Sequence, residues 1–388
     1  MHRAHWEAYT GPDIGLLKTL PPELYKTIPF AQPPPGVVAN FQNPPTRVPL
    51  SLGISVTYLV IASICLGIRT YTRTFIVKKW GWDDWLVVTG FSFSIACFAS
   101  LVLGYRGGVV GRHGWDVHLD KALSHDSLLQ SYLCTVMSAP ALGFIKMSLF
   151  VQYYYLFGVM RYIRISVLII GTLTTIFYLS ISITAFAMNS PWPGESLLDV
   201  IVSWHYLKFA KSSIATGMIG MFVDWILLFL PVPAVWRLKI SRRKKASVIL
   251  IFMTGTLGAI ASVLSLYYRV VLQRDPTDTT WKVGYTLLWT QVEMWSGVTA
   301  SCMPTVKQFF SHYFPTASLD KKPEQSTSHS RRVNEGRNLK PGGSFRLWGY
   351  KSSTHTESTE QITQGSNCSR TEVADRSGAT ANESGQLE

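Results

Sequence analysis

The sequence predicts an all-α membrane protein, a bundle of seven transmembrane helices with the N-terminus outside and the C-terminal tail in the cytoplasm. Three observations lead to this prediction. Asp, Glu, Lys and Arg make up 15% of the 388 residues, well below the roughly 25% of soluble domains. Seven stretches have the roughly 20 mostly apolar residues that cross a hydrocarbon core of about 30 Å. Lys and Arg concentrate in alternate connections between those stretches, which is the charge bias of membrane proteins.

The apolar stretches follow one another along most of the chain and are separated by polar connections. One such stretch alone would also fit a helix inside a large soluble core. Seven together favour a multi-pass protein of the plasma membrane or an endomembrane, in contact with membrane lipids. The predicted spans are residues 49–69, 86–104, 128–157, 165–187, 212–236, 246–268 and 284–304.

The connection between the fifth and sixth spans sets the orientation. It has no acidic residue between 237 and 245, and basic short connections stay in the cytoplasm. With seven crossings, the N-terminus is then outside, and Arg69, Arg73, Arg161 and Arg164 also fall on the inner side. The basic residues of the defining connection are Arg237, Lys239, Arg242, Arg243, Lys244 and Lys245.

The two ends of the chain differ from the middle in composition. Residues 1–48 are rich in proline and are predicted to be an extracellular segment, followed by the membrane domain over residues 49–305. Residues 306–388 are predicted to be a cytoplasmic tail. Most of it has too little aliphatic content to offset the entropy of ordering, so we expect it to be mostly disordered.

The net charge of +13 raises the question of a nucleic-acid partner. Nucleic-acid readers carry their charge as a basic surface on a folded soluble module. Here most of the excess falls in the inner connections of the membrane domain, where it sets topology. We therefore predict no nucleic-acid partner.

Three ionisable residues lie well inside predicted spans: Lys146, Asp224 and Glu293. A charge there costs at least about 2.5 to 3.5 kcal/mol on insertion scales, so it is rarely left without a partner. We expect Lys146 to reach back toward the outside and pair with Asp224, while Glu293 faces a polar cavity or shares the cation. These residues are candidates for a ligand-binding site, and the alternative is a purely structural clamp between helices.

The string GWDDW, residues 81–85, stands where the second span begins on the inner side. Asp83 and Asp84 suit the positive end of a helix, and the tryptophans suit the membrane interface. We favour a structural role over binding of a partner.

The first outer connection places His113, Asp116, His118 and Asp120 close together. Their spacing defines no metal geometry, so a polar lid over the bundle fits better than a metal site. The cysteines form neither a disulfide framework nor a zinc pattern. Catalytic and nucleotide-binding motifs are missing, and the seventh span has no lysine for a retinal Schiff base. We predict no enzymatic activity and no cofactor.

Taken in order, several of these features resemble the fungal rhodopsin-domain integral membrane proteins, a family of seven-helix proteins. The resemblance runs from about Arg69 to Pro304 and depends on the order and spacing of individually weak motifs. They are GWDDW, the GRHGWDV segment, Lys146 with Ser148 and Tyr153, Asp224 with Pro231, Pro233 and Trp236, and Trp289 with Glu293, Gly297 and Pro304.

Two departures from the family pattern matter. Members usually carry cysteines in the outer connections, but residues 188–211 have none, so a disulfide brace there is in doubt. An arginine that usually follows the tyrosine of the third span is also missing, and Tyr155 stands near that place. The resemblance implies receptor-like proteins and accessory proteins of mycotoxin clusters, and it does not imply light sensing.

The first functional hypothesis is a receptor-like protein that senses a small molecule or surface cue. An outside-facing cavity among spans three, five and seven would bind the molecule, and the inner connections and tail would contact a cytoplasmic signalling partner. The alternatives are an accessory membrane protein of a secondary-metabolite pathway and a transporter that uses the buried charges.

Overall fold

The structure is a computed structural model that describes residues 24–158, 160–233 and 242–313. Within these residues it is all-α, with seven long helices. The predicted tail beyond residue 313 and most of the basic connection between the fifth and sixth helices lie outside the described residues. The long helices are α1 (Val48–Tyr71), α2 (Trp82–Gly107), α3 (His125–Phe157), α4 (Arg161–Asn189), α5 (Trp204–Phe229), α6 (Arg242–Arg274) and α7 (Thr279–Tyr313).

Shorter elements complete the described chain. A π-helical segment extends α1, and two of the connections contain a short α-helix. The shorter elements are Leu24–Lys26, Thr72–Val77, Gly114–Asp116, Leu119–Ala122, Leu197–Val202 and Pro276–Asp278.

Six of the long helices, α1 to α6, are long and apolar enough to cross a membrane. Their outward faces carry large apolar side chains, as along α4 at Leu168, Leu173, Ile176 and Ile183, which suits contact with lipid. α7 corresponds to the seventh predicted span but does not meet the same criterion of length and apolarity. A multi-pass membrane protein with six candidate spans is thus established.

The helix ends differ from the predicted boundaries for identifiable local reasons. α5 begins at Trp204, eight residues before the predicted start, because the Ser203 hydroxyl accepts a hydrogen bond from the Tyr206 amide and caps the helix. It ends at Phe229, shortly before Pro231, which has no amide hydrogen to continue the helix.

α3 and α7 occupy the centre of the described bundle. In the most apolar window of α3, 56% of the residues are buried, against 17% in α5. One apolar cluster surrounds Trp295 of α7 between α1, α2 and α3, and another surrounds Phe150 of α3 beside α4 and α5. Side chains on α3 and α7 are therefore the ones held most firmly.

The end of the bundle where α3 and α7 begin is covered by a lid, made of residues 28–47, the α2–α3 connection and the α6–α7 connection. Backbone hydrogen bonds join these segments, from the Phe30 amide to the Val117 carbonyl (2.9 Å) and from the Arg47 amide to the Gly111 carbonyl (3.1 Å). The described part of the predicted N-terminal segment is thus packed on the bundle.

Candidate functional site

The three ionisable residues predicted to lie inside the bundle meet at one point, which we call the ionic centre. Lys146 Nζ lies 2.8 Å from Asp224 Oδ1 and 3.1 Å from Glu293 Oε1. It also donates a hydrogen bond to the carbonyl of Gly220 at 3.0 Å. The predicted pairing is formed, and Glu293 shares the cation. Whether these residues bind a ligand stays a prediction.

All three side chains of the ionic centre are mostly buried, with exposed fractions of 3% for Lys146, 13% for Asp224 and 10% for Glu293. The ring of Tyr178 on α4 lies 5.5 Å from Lys146 Nζ, within range of a cation–π interaction. A methyl group on Gly220 would lie 3.3 Å from the Tyr178 hydroxyl, so glycine keeps the lysine within reach of the α5 backbone.

The depths of these residues explain why they meet. Lys146 lies about 32 Å from the start of α3 and Asp224 about 30 Å from the start of α5, at 1.5 Å per residue. Glu293 lies about 21 Å from the start of α7. α5 begins earlier than predicted, so Asp224 lies about as far along its helix as Lys146 does. Lys146 still reaches back toward Glu293, as predicted, because the neighbouring Ile145 packs against Gly297 of α7, about one turn beyond Glu293.

A cavity of about 40 Å³ adjoins the ionic centre, room for about three water molecules. Its other walls are mostly apolar and come from α3, the end of α5, α6 and α7. They include Leu149, Leu227, Leu228, Phe252, Gly255 and Ala300, together with the polar residues Tyr153, Thr254 and Ser296. The cavity was predicted to face the outside. The structure instead places it on the side where α5 ends, at Pro231.

The other side of the ionic centre is occupied by a polar column that sequence analysis missed. Arg269 of α6 donates hydrogen bonds to Ser213 of α5 (2.9 Å) and Ser265 (3.5 Å), and Ser265 shares a hydrogen bond with Thr290 of α7 (3.1 Å). These contacts fill the space toward the starts of α5 and α7. They explain why the cavity lies on the opposite side.

A helical stripe in the sequence could have revealed this column. Residues three or four apart share one face of a helix. The α6 stripe leads to Arg269, which the sequence analysis assigned to an outer connection and the structure places inside α6. The stripes are Ser213, Gly217, Gly220 and Asp224 on α5; Ser262, Ser265, Arg269 and Gln273 on α6; and Thr286, Thr290 and Glu293 on α7.

A second buried group of charges, the arginine–aspartate cluster, consists of Arg69, Arg73, Asp83 and Asp84. Arg69 is 1% exposed, and its Nε lies 2.8 Å from Asp84 Oδ1 while it also pairs with Asp83. Arg73 contacts the same two carboxylates at 3.1 and 3.2 Å. Asp84 does cap α2 by accepting from the Gly81 amide at 2.9 Å, as predicted, but its larger role was missed.

This cluster also fastens α2 to the two central helices. Arg69 donates to the carbonyl of Ser301 on α7, which also accepts from Gln152 of α3 at 2.9 Å. Ser148 of α3 donates to the Asp83 carbonyl at 3.1 Å. Sequence analysis placed Arg69 and Arg73 in or beside an inner connection as topology signals, whereas Arg69 in fact faces the interior of the bundle.

The candidate lid residues of the α2–α3 connection, predicted to be outer, contact other parts of the protein. His113 Nδ1 lies 2.5 Å from Asp278 Oδ2, and the imidazole stacks between Trp115 and Trp281 at centroid distances of 4.5 and 4.0 Å. Asp116 accepts from the Asn40 amide at 2.8 Å.

His118 stacks on Phe41 at 4.1 Å, and Asp120 accepts from the Lys121 amide at 2.7 Å. In the described residues, the contacts of His113, Asp116 and His118 hold the α2–α3 connection to the N-terminal segment and the α6–α7 connection, as a lid requires.

The α4–α5 connection, predicted to be outer and to lack a disulfide brace, is held by aromatic and polar contacts. His205 is 1% exposed, stacks on Trp192 at 4.8 Å and approaches the Met188 carbonyl at 2.6 Å through Nδ1. Its Nε2 lies 3.5 Å from a carboxylate oxygen of Glu195. These contacts join the end of α4 to the start of α5.

Comparison with known proteins agrees with this architecture. Residues 68–312 match the fungal rhodopsin domain. The chain is 25% identical over 283 residues to fugralins biosynthesis cluster protein 2 of Gibberella zeae, which covers 72% of the chain and 69% of that relative. No solved structure matches the chain.

Two further relatives carry different descriptions. An SAT4 family membrane protein of Emericella nidulans is 29% identical over 213 residues, 53% of each chain, so the match spans about half of that relative. Receptor GIN3 of Arthrobotrys oligospora is 24% identical over 295 residues, 72% of this chain and 67% of the receptor.

Proposed function

The chain belongs to the fungal rhodopsin domain family, and we propose that it is a receptor-like membrane protein that responds to a small molecule or surface cue without catalysing a reaction. In this proposal, α7 is the seventh crossing, the lid is outside, and the tail and the basic α5–α6 connection contact a cytoplasmic signalling partner. The length of α7, 35 residues or about 52 Å, supports the seventh crossing.

The observation that carries this proposal is the ionic centre beside a cavity. Three charged side chains from α3, α5 and α7 meet at a point where helix packing leaves space. Ionisable residues inside a membrane are costly and are commonly functional. A site that joins three helices is placed to couple occupancy to their relative positions.

The size of the cavity bears on the mechanism. Sites for drug-sized ligands usually measure about 300 to 1,000 Å³, against the 40 Å³ found here. A larger ligand would therefore need α5 and α6 to separate on the side of Pro231. The described structure would then be the unliganded state, and a ligand would select a second arrangement of the helices.

The relative named Receptor GIN3 supports a receptor-like function. The proposal can be tested in cells that carry variants of the gene. The genomic copy is replaced by Asp224→Asn, by a deletion, or by Gly67→Ala, a control whose added methyl group has no neighbour within 4 Å. Transcriptional responses to surface and chemical cues are then compared. We expect the deletion and Asp224→Asn to abolish one response that Gly67→Ala retains. Unchanged responses in all strains would contradict the receptor.

A second candidate function is an accessory role in secondary metabolism, favoured by the relative described as a biosynthesis cluster protein. In that case, deletion would change the set of secreted metabolites while leaving responses to cues intact. Metabolite profiles of the same strains distinguish the two functions.

A transporter is the third candidate, favoured by the polar column that continues from the ionic centre through Arg269. It predicts solute flux into vesicles that contain the purified protein. A receptor would bind the solute without flux.

A further inference from the structure

The ionic centre has an unequal supply of hydrogen-bond donors and acceptors. An ammonium group has three N–H donors, and those of Lys146 face Asp224 Oδ1, Glu293 Oε1 and the Gly220 carbonyl, all within 3.1 Å. The lysine therefore has no donor left for a ligand. A carboxylate or carbonyl ligand would have to displace one of these partners.

The ionic centre has a hydrogen-bond acceptor that lacks a donor within the described bundle. Asp224 Oδ2 is buried and accepts no hydrogen bond from any group in the described residues. A buried acceptor without a partner costs about 1 to 3 kcal/mol, more when it is charged, so a donor placed there is favoured. The side chain of Asp224 also lines the cavity, which provides room for such a donor.

The charges in direct contact are unequal as well. One ammonium group faces two carboxylates, so when both acids are ionised one of the two negative charges has no cation of its own in direct contact within the described chain. Arg269, the other cation of this region, attracts Glu293 from a longer distance, while its hydrogen bonds go to the hydroxyls of Ser213 and Ser265. A cation in the cavity would balance the centre at closer range.

The other residues that line the cavity restrict the chemistry of the molecule that carries this cation. Leucine, isoleucine, phenylalanine, proline, alanine and glycine residues line most of the rest of the cavity, beside Tyr153, Thr254 and Ser296, and they offer van der Waals contact to an apolar body. We propose that the cavity takes an apolar molecule that ends in a protonated amine, whose N–H donates to Asp224 Oδ2. This inference rests on the proposed function and adds the chemical class of the ligand.

The test compares three probes that share one small apolar body and differ in the polar end: propylamine, propanol and propanoate. The full-length protein in lipid nanodiscs is heated with increasing concentrations of each probe at neutral pH. Ligands that bind the folded state raise Tm. We expect a rise of a few degrees with propylamine, a smaller one with propanol and none with propanoate.

Two variants connect the effect to the site. Asp224→Asn keeps the size of the side chain and removes its charge, so the propylamine shift should fall to the level of propanol. Gly255→Ala adds a methyl group inside the cavity in ordinary contact with Leu228 (3.4 Å), and it should reduce both shifts. Gly67→Ala, with open space around it, should leave both shifts unchanged.

The outcomes separate this inference from the proposed function. A propanoate shift equal to that of propylamine, or equal propanol and propylamine shifts in the unmodified protein, overturns the preference for a cation. No shift with any probe, together with loss of the cellular response in Asp224→Asn, overturns the ligand class while the receptor stands. No shift and no cellular effect of Asp224→Asn overturns both.

Discussion

Two clusters of buried ion pairs in the described bundle, the arginine–aspartate cluster and the ionic centre, differ in charge balance and in adjoining space. The arginine–aspartate cluster sets two arginines against two aspartates and joins α1, α2, α3 and α7. The ionic centre sets one lysine against two carboxylates, and a cavity adjoins it. Burial of charge is common to both. Only the ionic centre combines unequal charge, a free acceptor and room for a ligand.

This difference separates a structural use of charge from a functional one. The arginine–aspartate cluster also has a buried carboxylate oxygen without a hydrogen bond in the described residues, Asp83 Oδ1, but its charges are balanced. A balanced cluster has no net charge to attract an ionic ligand, but it loses much when one member is removed. An unbalanced cluster beside a cavity has an interaction left to make. Variants of the two clusters and of two weaker contacts distinguish these uses of charge.

Removal of Arg69 should have the largest effect on stability. Arg69→Gln leaves two buried carboxylates with Arg73 alone, and breaking a buried pair costs about 3 to 5 kcal/mol. We expect a large drop in Tm and in the yield of folded protein in detergent. Arg106→Gln, at an exposed arginine of α2, is the matched control. Equal yields for the two variants would show that the cluster is not structural.

Removal of Lys146 should cost less, and the loss should be reversible by neutral partners. Lys146→Met leaves Asp224 and Glu293 without their cation. Because these carboxylates adjoin a cavity and can take up a proton or a water molecule, we expect a cost near the lower end of the about 3 to 5 kcal/mol for a broken buried pair. The triple variant Lys146→Met, Asp224→Asn, Glu293→Gln should recover most of this Tm loss, because uncharged replacements of a buried ionic group are often neutral in stability. It should still lack the cellular response.

A stable triple variant with an intact response would mean that the charges of the ionic centre are a clamp. An unstable triple variant would show that the ionic centre, like the arginine–aspartate cluster, is needed for stability. Exchange of Lys146 and Asp224 gives a further check, because failure to restore folding lost in either single variant would contradict their direct pairing.

The polar column should contribute a smaller amount. Arg269→Leu removes the hydrogen bonds to Ser213 and Ser265, and contacts of this kind between membrane helices are worth about 0.6 to 1.7 kcal/mol. We expect a modest fall in Tm, measured beside Ser213→Ala, which removes the shorter bond alone. A fall as large as that of Arg69→Gln would show that the column is a third essential cluster.

An exposed ion pair of the lid, between Lys282 and Asp275, should contribute least to the stability of the protein among the contacts compared. Hydrogen bonds from Lys282 and Thr277 lower the pKa of Asp275 to about 2. Because Asp275 is 56% exposed, screening limits the pair to about 0.2 to 0.5 kcal/mol.

A lowered pKa stabilises the folded state above the ordinary pKa of aspartate, about 3.9, and the contribution is lost as the pH falls through about 2. Lys282→Ala should therefore reduce Tm slightly at neutral pH, and the difference from the unmodified protein should vanish toward pH 2. Lys121→Ala, at an exposed lysine of another connection, is the control. A difference that persists unchanged below the pKa of Asp275 would contradict the ion pair.

The sequence was sufficient to predict the meeting of Lys146, Asp224 and Glu293, because a charge within an apolar span has few ways to be satisfied other than by another such charge. It was not sufficient to find the arginine–aspartate cluster. Arg69 stands at the edge of an apolar stretch, where an arginine facing inward and one marking an inner connection have the same sequence pattern.

The position of the cavity also could not be predicted from the sequence. The start of α5 depends on a capping contact of Ser203, and an error of eight residues there shifts the expected depth of Asp224 by about 12 Å. Arg269 illustrates the same limit, since only the length of α6 decides whether it lies in a helix or a connection. The stripe of Ser262, Ser265 and Arg269 was the signal available.

The polarity of α7 has a consequence for how the protein is made. α7 is not among the six helices that are long and apolar enough to cross a membrane, and it carries Glu293 near its middle. As the proposed seventh crossing, it would enter the bilayer poorly by itself. Insertion of α7 would require α3 and Lys146 to be in the membrane already. The ionic centre would then be needed for assembly of the protein as well as for its function. Chains with a defective lysine would then be left incompletely inserted and removed by quality control before they could reach their membrane.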